Sequence, residues 1–147
     1  METILELKND IGGLYYQLAY NAPKNYIYIN WIGFATEEEI IYGAEQFFVW
    51  LENNKDKNCI CFVNDNRQYR GSWGGIEEWL ANVWTPTVYR LGLRYAAFVV
   101  NDDVFTQVSN EAFKEVSAEI GKITMANFPT LEAAEQWVSE KNSEHTV

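Results

Sequence analysis

The first part of the chain shows the residue pattern of short strands. Residues 14–18 and 26–34 are rich in aromatic and β-branched side chains, and a cluster of Asn, Pro and Lys at 21–25 separates them. Such runs on either side of turn-forming residues predict two antiparallel strands, which form a hairpin. Residues 3–7 predict an earlier strand.

A capping box marks where the first helix begins. Thr36 and Glu39 are spaced so that each side chain can satisfy a free backbone N–H group of the other residue. We therefore expect a helix from Glu37, with apolar residues at helical spacing as far as Leu51 and a polar end at 53–57.

Three further helices are predicted. One carries its apolar residues between Ile76 and Trp84, and Pro86 must kink it or restart it. The next carries its apolar residues at 104–116 and ends at Gly121. The last follows residue 129 and ends in a polar tail, 141–147, which we expect to fray.

Continuous apolar runs lie between the predicted helices. Residues 60–63 and 96–100 are bounded by polar clusters, which suits central strands covered on both faces, and 123–128 predict a further strand. Helices that alternate with strands build a parallel sheet. The sequence therefore predicts one α/β domain over 1–147: a mixed sheet with an N-terminal antiparallel hairpin, parallel central strands and about four helices.

The net charge of the chain argues against two classes of binding partner. The 147 residues carry 11 basic and 21 acidic side chains, so the formal net charge is −10. Such a surface repels phosphate backbones and anionic headgroups, so we expect no nucleic acid and no membrane partner. No apolar run approaches the roughly 20 residues of a membrane span, and the N-terminus is acidic where an export signal would be basic. We therefore expect a cytoplasmic protein without membrane insertion.

Histidine and cysteine usage argues against catalysis. The single histidine, His145, lies in the polar tail, so the chain lacks the usual base of hydrolytic sites. Cys59 and Cys61 are two residues apart, which predicts both thiols on one face of a strand. With too few companion ligands for a metal, we expect buried, reduced cysteines, no metal, no cofactor and no enzymatic activity.

Several segments resemble a known family. These are the N-terminal hairpin and the residues at 47–51, 63–65, 91–96 and 128–137, and together they look like the SpoIIAA-like branch of STAS domains. The resemblance implies the same α/β fold and a regulatory role. STAS members that antagonise anti-sigma factors carry a phosphorylatable Ser before a helix, and Ser72 is the closest match here. In place of the short Asp-Ser-Ser-Gly type of signature, this chain has Asn-Asp-Asn-Arg at 64–67 and Gly-Ser-Trp-Gly at 71–74.

The candidate site is a polar loop at 64–75, which follows a central strand where α/β sheets usually bind ligands. A phosphate on Ser72 could be met by Arg67 or Arg70 and by the helix N-terminus; the alternative is that Ser72 only caps that helix. Arginine and large rings are typical anchors of protein interfaces. The predicted binding residues are Asn64, Asp65, Arg67, Tyr69, Arg70, Ser72 and Trp73.

Three functions remain open from the sequence. The first is a noncatalytic, STAS-like regulatory domain that binds a protein partner through this loop and the following helix, and that could form a homodimer through the free edge of the hairpin. The second is a carrier of a small apolar, lipid-like molecule, because SpoIIAA-like folds are related to CRAL-TRIO lipid-binding domains. Against this carrier stand the short chain and a place in the core for nearly every apolar residue. The third, an enzyme, would have only Asp65, Tyr69 and Ser72 as clustered candidates.

Overall fold

Six strands form one mixed sheet whose spatial order is the order of the sequence. The computed structural model describes residues 1–71, 75–100 and 123–145. The first three strands are antiparallel and the last four are parallel, as the sequence predicted. The strands are β1 (Glu2–Lys8), β2 (Leu14–Asn21), β3 (Tyr26–Gly33), β4 (Cys61–Tyr69), β5 (Tyr95–Val99) and β6 (Thr124–Phe128).

Three helices belong to the described residues. They are α1 (Glu37–Asn53), α2 (77–90) and α3 (Leu131–His145). The predicted capping box is confirmed, since the Glu39 N–H donates to Thr36 Oγ1 over 3.1 Å and the Thr36 N–H donates to Glu39 Oε1 over 2.9 Å. The predicted helix at 104–116 lies outside the described residues. Within them, no helix combines the length and apolarity that crossing a bilayer requires.

Helix α2 contains a wider, π-helical turn just before Pro86. Residues Leu80–Trp84 are π-helical between two α-helical segments, Glu77–Trp79 and Thr85–Arg90. The Thr85 N–H donates to the Leu80 carbonyl five residues earlier. Because a proline ring collides with the carbonyl four residues before it in a regular α-helix, this wider turn lets the chain stay helical.

The helices cover the two faces of the sheet. Helices α1 and α2 pack on one face, where Phe47, Phe62 and Trp84 belong to the larger group of buried residues. Helix α3 packs on the other face, where Val63 contacts the group that contains Val138. The protein therefore has three layers, and each face of the central strands is apolar because each is covered.

The two cysteines correct one prediction. Both are buried and free, as expected. They do not share a face: Cys59 belongs to the core on the α1 side, whereas the Cys61 Sγ lies 3.8 Å from the Asn142 Oδ1 of α3. The reason is that β4 begins only at Cys61, so the side-chain alternation of the strand does not extend back to Cys59.

Helix α3 continues through His145, past the start of the polar tail. Asn142 Nδ2 donates to the Lys24 carbonyl over 2.8 Å, and His145 Nε2 lies 2.9 Å from the Tyr95 hydroxyl. Residues 141–145, which composition predicts to fray, are therefore helical and contact the turn before β3 and strand β5.

Candidate functional site

Strand β4 is longer than the sequence predicted. Residues 64–69 belong to the strand, so the prediction of a loop over 64–75 is wrong for this part. Asn64 pairs with Ile29 of β3 and Phe98 of β5, and Tyr69 pairs with Gly33. Strand β5 pairs with β4 as far as Asp65, and β3 pairs with it as far as Tyr69, so the strand extends through polar residues because its backbone is paired.

The strand divides the predicted binding residues between two faces of the sheet. Asn64 and Tyr69 face α1 and α2, where the Tyr69 ring centroid lies 6.4 Å from that of Trp31. Asp65 faces the α3 side and bonds to Tyr28, which packs against the residues there. The register of β3 and β4 shifts between these positions, which allows both Asn64 and Tyr69 to face one side.

Asp65 is held by several hydrogen bonds. Its Oδ2 accepts from the Tyr28 hydroxyl over 2.5 Å and from Arg67 Nη2 over 2.8 Å, and its Oδ1 accepts from Arg67 Nε over 3.0 Å. Burial raises the pKa of this carboxyl, but the bonds from Arg67 and Tyr28 outweigh it, so the pKa lies below its ordinary value. Asp65 therefore fastens β4 to β3 as a charged, paired group.

The exposed residues of the predicted site lie at the end of β4. Arg67 and Arg70 are exposed, and the Arg70 N–H donates to the Gly33 carbonyl over 2.7 Å. Phe34, the next residue after Gly33, is 72% exposed. Ser72 and Trp73 lie outside the described residues. The side chains of Arg70 and Phe34 are therefore both exposed where β3 and β4 end.

A cavity lies between the sheet, α1 and α2, on the face that holds Asn64. It has a volume of about 40 Å³, and with its solvent-open part the concavity contains about 460 Å³ of empty space. Five of its lining residues are aromatic and one is an amide. The lining consists of Ile29, Trp31, Ile40, Ala44, Phe47, Phe62, Asn64, Trp79, Leu80 and Trp84.

The π-helical turn of α2 helps to place two of these rings. Trp79 and Trp84 are five residues apart, and a helix with bonds between residues five apart brings such positions to the same side. The Trp84 ring centroid lies 5.7 Å from that of Phe62. Trp79 is the lining residue that remains half-buried, and its ring stacks on Phe48 at 6.2 Å.

Asn64 is the polar side chain of the cavity wall. Its relative exposure is 7%, and its Oδ1 has no hydrogen-bond partner among the described residues. Leaving a buried acceptor unpaired costs on the order of 1–3 kcal/mol. Tyr16 Oη and Asn30 Oδ1 are also buried without a partner among the described residues, but of these three side chains only that of Asn64 lines the cavity.

Sequence reasoning assigned the lining rings to the core and Asn64 to a loop. The usable signal was Asn64 directly after Phe62 and Val63, together with Trp79 and Trp84 five residues apart. Apolar rings that bound a cavity have the same spacing as rings that fill a core, so only the fold could tell them apart. Among the described residues, no three His, Cys, Asp or Glu side chains are grouped to hold a metal ion.

Comparisons of the chain with protein-family models, with curated proteins and with solved structures found no match. The resemblance to STAS domains therefore stays a prediction, and the function is argued from the geometry of the described residues.

Proposed function

We propose that the protein binds a small apolar ligand in the cavity between the sheet, α1 and α2. The observation that carries the proposal is the lining, in which one amide, Asn64, stands among nine apolar residues. Small-molecule sites are mostly apolar concavities with a few polar groups that fix the orientation of the ligand. The unpartnered Oδ1 of Asn64 supports such a role.

The size of the cavity limits the ligand. A water molecule needs at least about 10–15 Å³ of such space, and the cavity volume is about 40 Å³. Benzene fills a closed cavity of roughly 150 Å³, so a ligand of one small ring extends from this cavity into the solvent-open part of the concavity. One ring still suits the site better than a whole lipid does. The proposal therefore keeps the carrier hypothesis and replaces its lipid-like molecule with a smaller one.

Cavity filling tests the proposal. Ala44 lines the cavity, so Ala44→Val places two extra carbons in it. We expect the wild-type chain to bind toluene or phenol saturably in ligand-observed NMR, and Ala44→Val to bind them about tenfold more weakly because the added carbons occupy the ligand's space.

A matched control is Ala81→Val, which makes the same change on α2 at a half-buried position outside the cavity wall. This control should bind as the wild type does, and thermal unfolding should show that both variants fold. Equal binding by both variants, or no binding of either probe to the wild type, would contradict the proposal.

A second candidate function is the binding of a protein partner. This candidate is favoured by two exposed side chains, Phe34 and Arg70, which lie where β3 and β4 end. Aromatic and arginine side chains are typical anchors of protein interfaces. Asp65 and Tyr69 are buried and would contribute little to such a surface. Phosphorylation of Ser72 and a homodimer stay predictions, but both strands of the hairpin are paired, β2 with β1 and β3 with β4, so a dimer would not form through a hairpin edge.

Affinity capture tests this candidate. Arg70→Ala combined with Phe34→Ala should lose a specific partner that the wild type retains, whereas Glu78→Ala, an exposed change on α2, should keep it. An identical set of captured proteins for all three chains would exclude this surface.

A further inference from the structure

We infer that the ligand of this cavity carries a hydrogen-bond donor on its small ring, and that Asn64 accepts that hydrogen bond. The inference rests on the proposed function, because it names the class of ligand for the same cavity.

The polar atoms of the wall are few. Apart from indole N–H groups, Asn64 supplies the polar side-chain atoms of the lining. Its Oδ1 is buried without a partner among the described residues, and an unpaired carbonyl oxygen can only accept. The group that completes the site is therefore a donor, such as a hydroxyl or an N–H.

Water can pair with Asn64, since part of the concavity is open to solvent, but it leaves the apolar wall uncovered. Apart from Asn64 and the indole N–H groups, the lining side chains carry no polar atom. A ligand whose ring contacts those side chains and whose hydroxyl or N–H meets Asn64 satisfies both parts of the wall at once.

The rings favour a flat ligand. The centroids of Phe47 and Phe62 are 5.2 Å apart, and those of Phe62 and Trp84 are 5.7 Å apart. Aromatic rings pair favourably in offset or edge-to-face arrangements at centroid distances of about 4.5–7 Å, so a further ring finds suitable neighbours here.

Asp65 shows that this strand can satisfy its polar groups. The carboxylate of Asp65 accepts bonds from Tyr28 and Arg67 on the opposite face. Asn64, one residue earlier and also buried, has no such arrangement for its Oδ1. The cavity is where its partner would enter.

Two pairs of probes of matched shape test the inference. Phenol and toluene differ by a donor hydroxyl, whereas anisole and ethylbenzene differ by an ether oxygen that can only accept. Each probe is titrated into the wild-type chain and into Asn64→Leu, which keeps the side-chain volume and removes the amide. Calorimetry or ligand-observed NMR gives the dissociation constants.

We expect the preference for phenol over toluene to be about tenfold greater in the wild type than in Asn64→Leu, from the usual cost of an unmade buried hydrogen bond. Anisole should gain nothing over ethylbenzene. A gain for anisole in the wild type would overturn the inference, since Asn64 would then be donating.

The failure of the inference and the failure of the proposed function are distinguishable. If toluene and ethylbenzene bind to the wild type but the phenol preference is the same in both chains, the ligand site stands and the donor assignment falls. If none of the four probes binds to the wild type, the proposed function falls, and the inference with it. Should Asn64→Leu not fold, Asn64→Ala replaces it with the same four probes.

Discussion

Asn64 and Asp65 are adjacent in β4, yet their side chains lie on opposite faces of the sheet and differ in their hydrogen bonding. The Asp65 carboxylate accepts hydrogen bonds from Tyr28 and Arg67, whereas the Oδ1 of Asn64 is buried without a partner among the described residues. One residue fastens two strands together. The other carries a cost to stability that binding a ligand would relieve.

The cost at Asn64 can be measured without any ligand. Asn64→Leu replaces the buried amide by an apolar side chain of similar volume in an apolar wall. We expect the free energy of unfolding of this variant to be about 1–3 kcal/mol higher than that of the wild type, because no polar atom is then left unpaired. Urea unfolding at pH 7 measures the difference. A variant less stable than the wild type would show that the amide has a partner that stabilises the free protein.

Removal of the Asp65 charge should weaken the fold in a pH-dependent way. Asp65→Asn loses charge-assisted bonds from Arg67 and Tyr28, so we expect a loss on the order of 1–3 kcal/mol at pH 7. The folded-state pKa of Asp65 lies below its unfolded value. Its contribution is therefore present above the unfolded pKa of about 3.9 and disappears as pH falls through the folded pKa.

The measurement is urea unfolding of both chains from pH 7 to pH 2. The difference between wild type and Asp65→Asn should shrink as the pH falls below about 4. Asp10→Asn, which neutralises an exposed carboxylate in a turn, serves as the control for a change of net charge. A difference that stays constant over this range would mean that the charge of Asp65 does not stabilise the fold.

The cysteines should be unreactive in the folded protein. Burial raises the pKa of Cys59 to about 11 and that of Cys61 to about 12, so both are thiols at pH 8 and both are out of contact with solvent. Ellman's reagent at pH 8 should find neither thiol in the native protein and both in about 6 M guanidinium, which unfolds most domains. A native thiol that reacts within seconds would place that cysteine at the surface.

Gly43 allows α1 to approach the sheet closely. A Cβ atom at this position would lie 3.0 Å from ring carbons of Tyr16 and of Trp31, both of which are buried. Gly43→Ala should therefore destabilise the protein by roughly 1–2 kcal/mol, although alanine by itself favours a helix. Thermal or urea unfolding measures the effect.

The reverse change at a half-buried position of α2, Ala81→Gly, measures the helix-propensity term in the same fold. If Gly43→Ala is as stable as the wild type or more so, the helix and the sheet are not in close contact at this point.

The sequence by itself determined the features that depend on near neighbours in the chain. The hairpin at 14–34 follows from aromatic and β-branched runs around turn residues, and the start of α1 at Glu37 follows from a capping box. The parallel strands that begin near 60 and 95 follow from continuous apolar runs. Each of these signals lies within a few residues, so the sequence contains all of it.

Only the tertiary structure decided how far β4 extends and what lies on each of its faces. The polar residues 64–69 have the composition of a loop, but β5 pairs with this strand as far as Asp65 and β3 as far as Tyr69. That pairing sends Asn64 into an apolar cavity and Asp65 to Tyr28. The sequence could not show either contact, because a side chain's face and its partners are set by strands and helices that are distant along the chain.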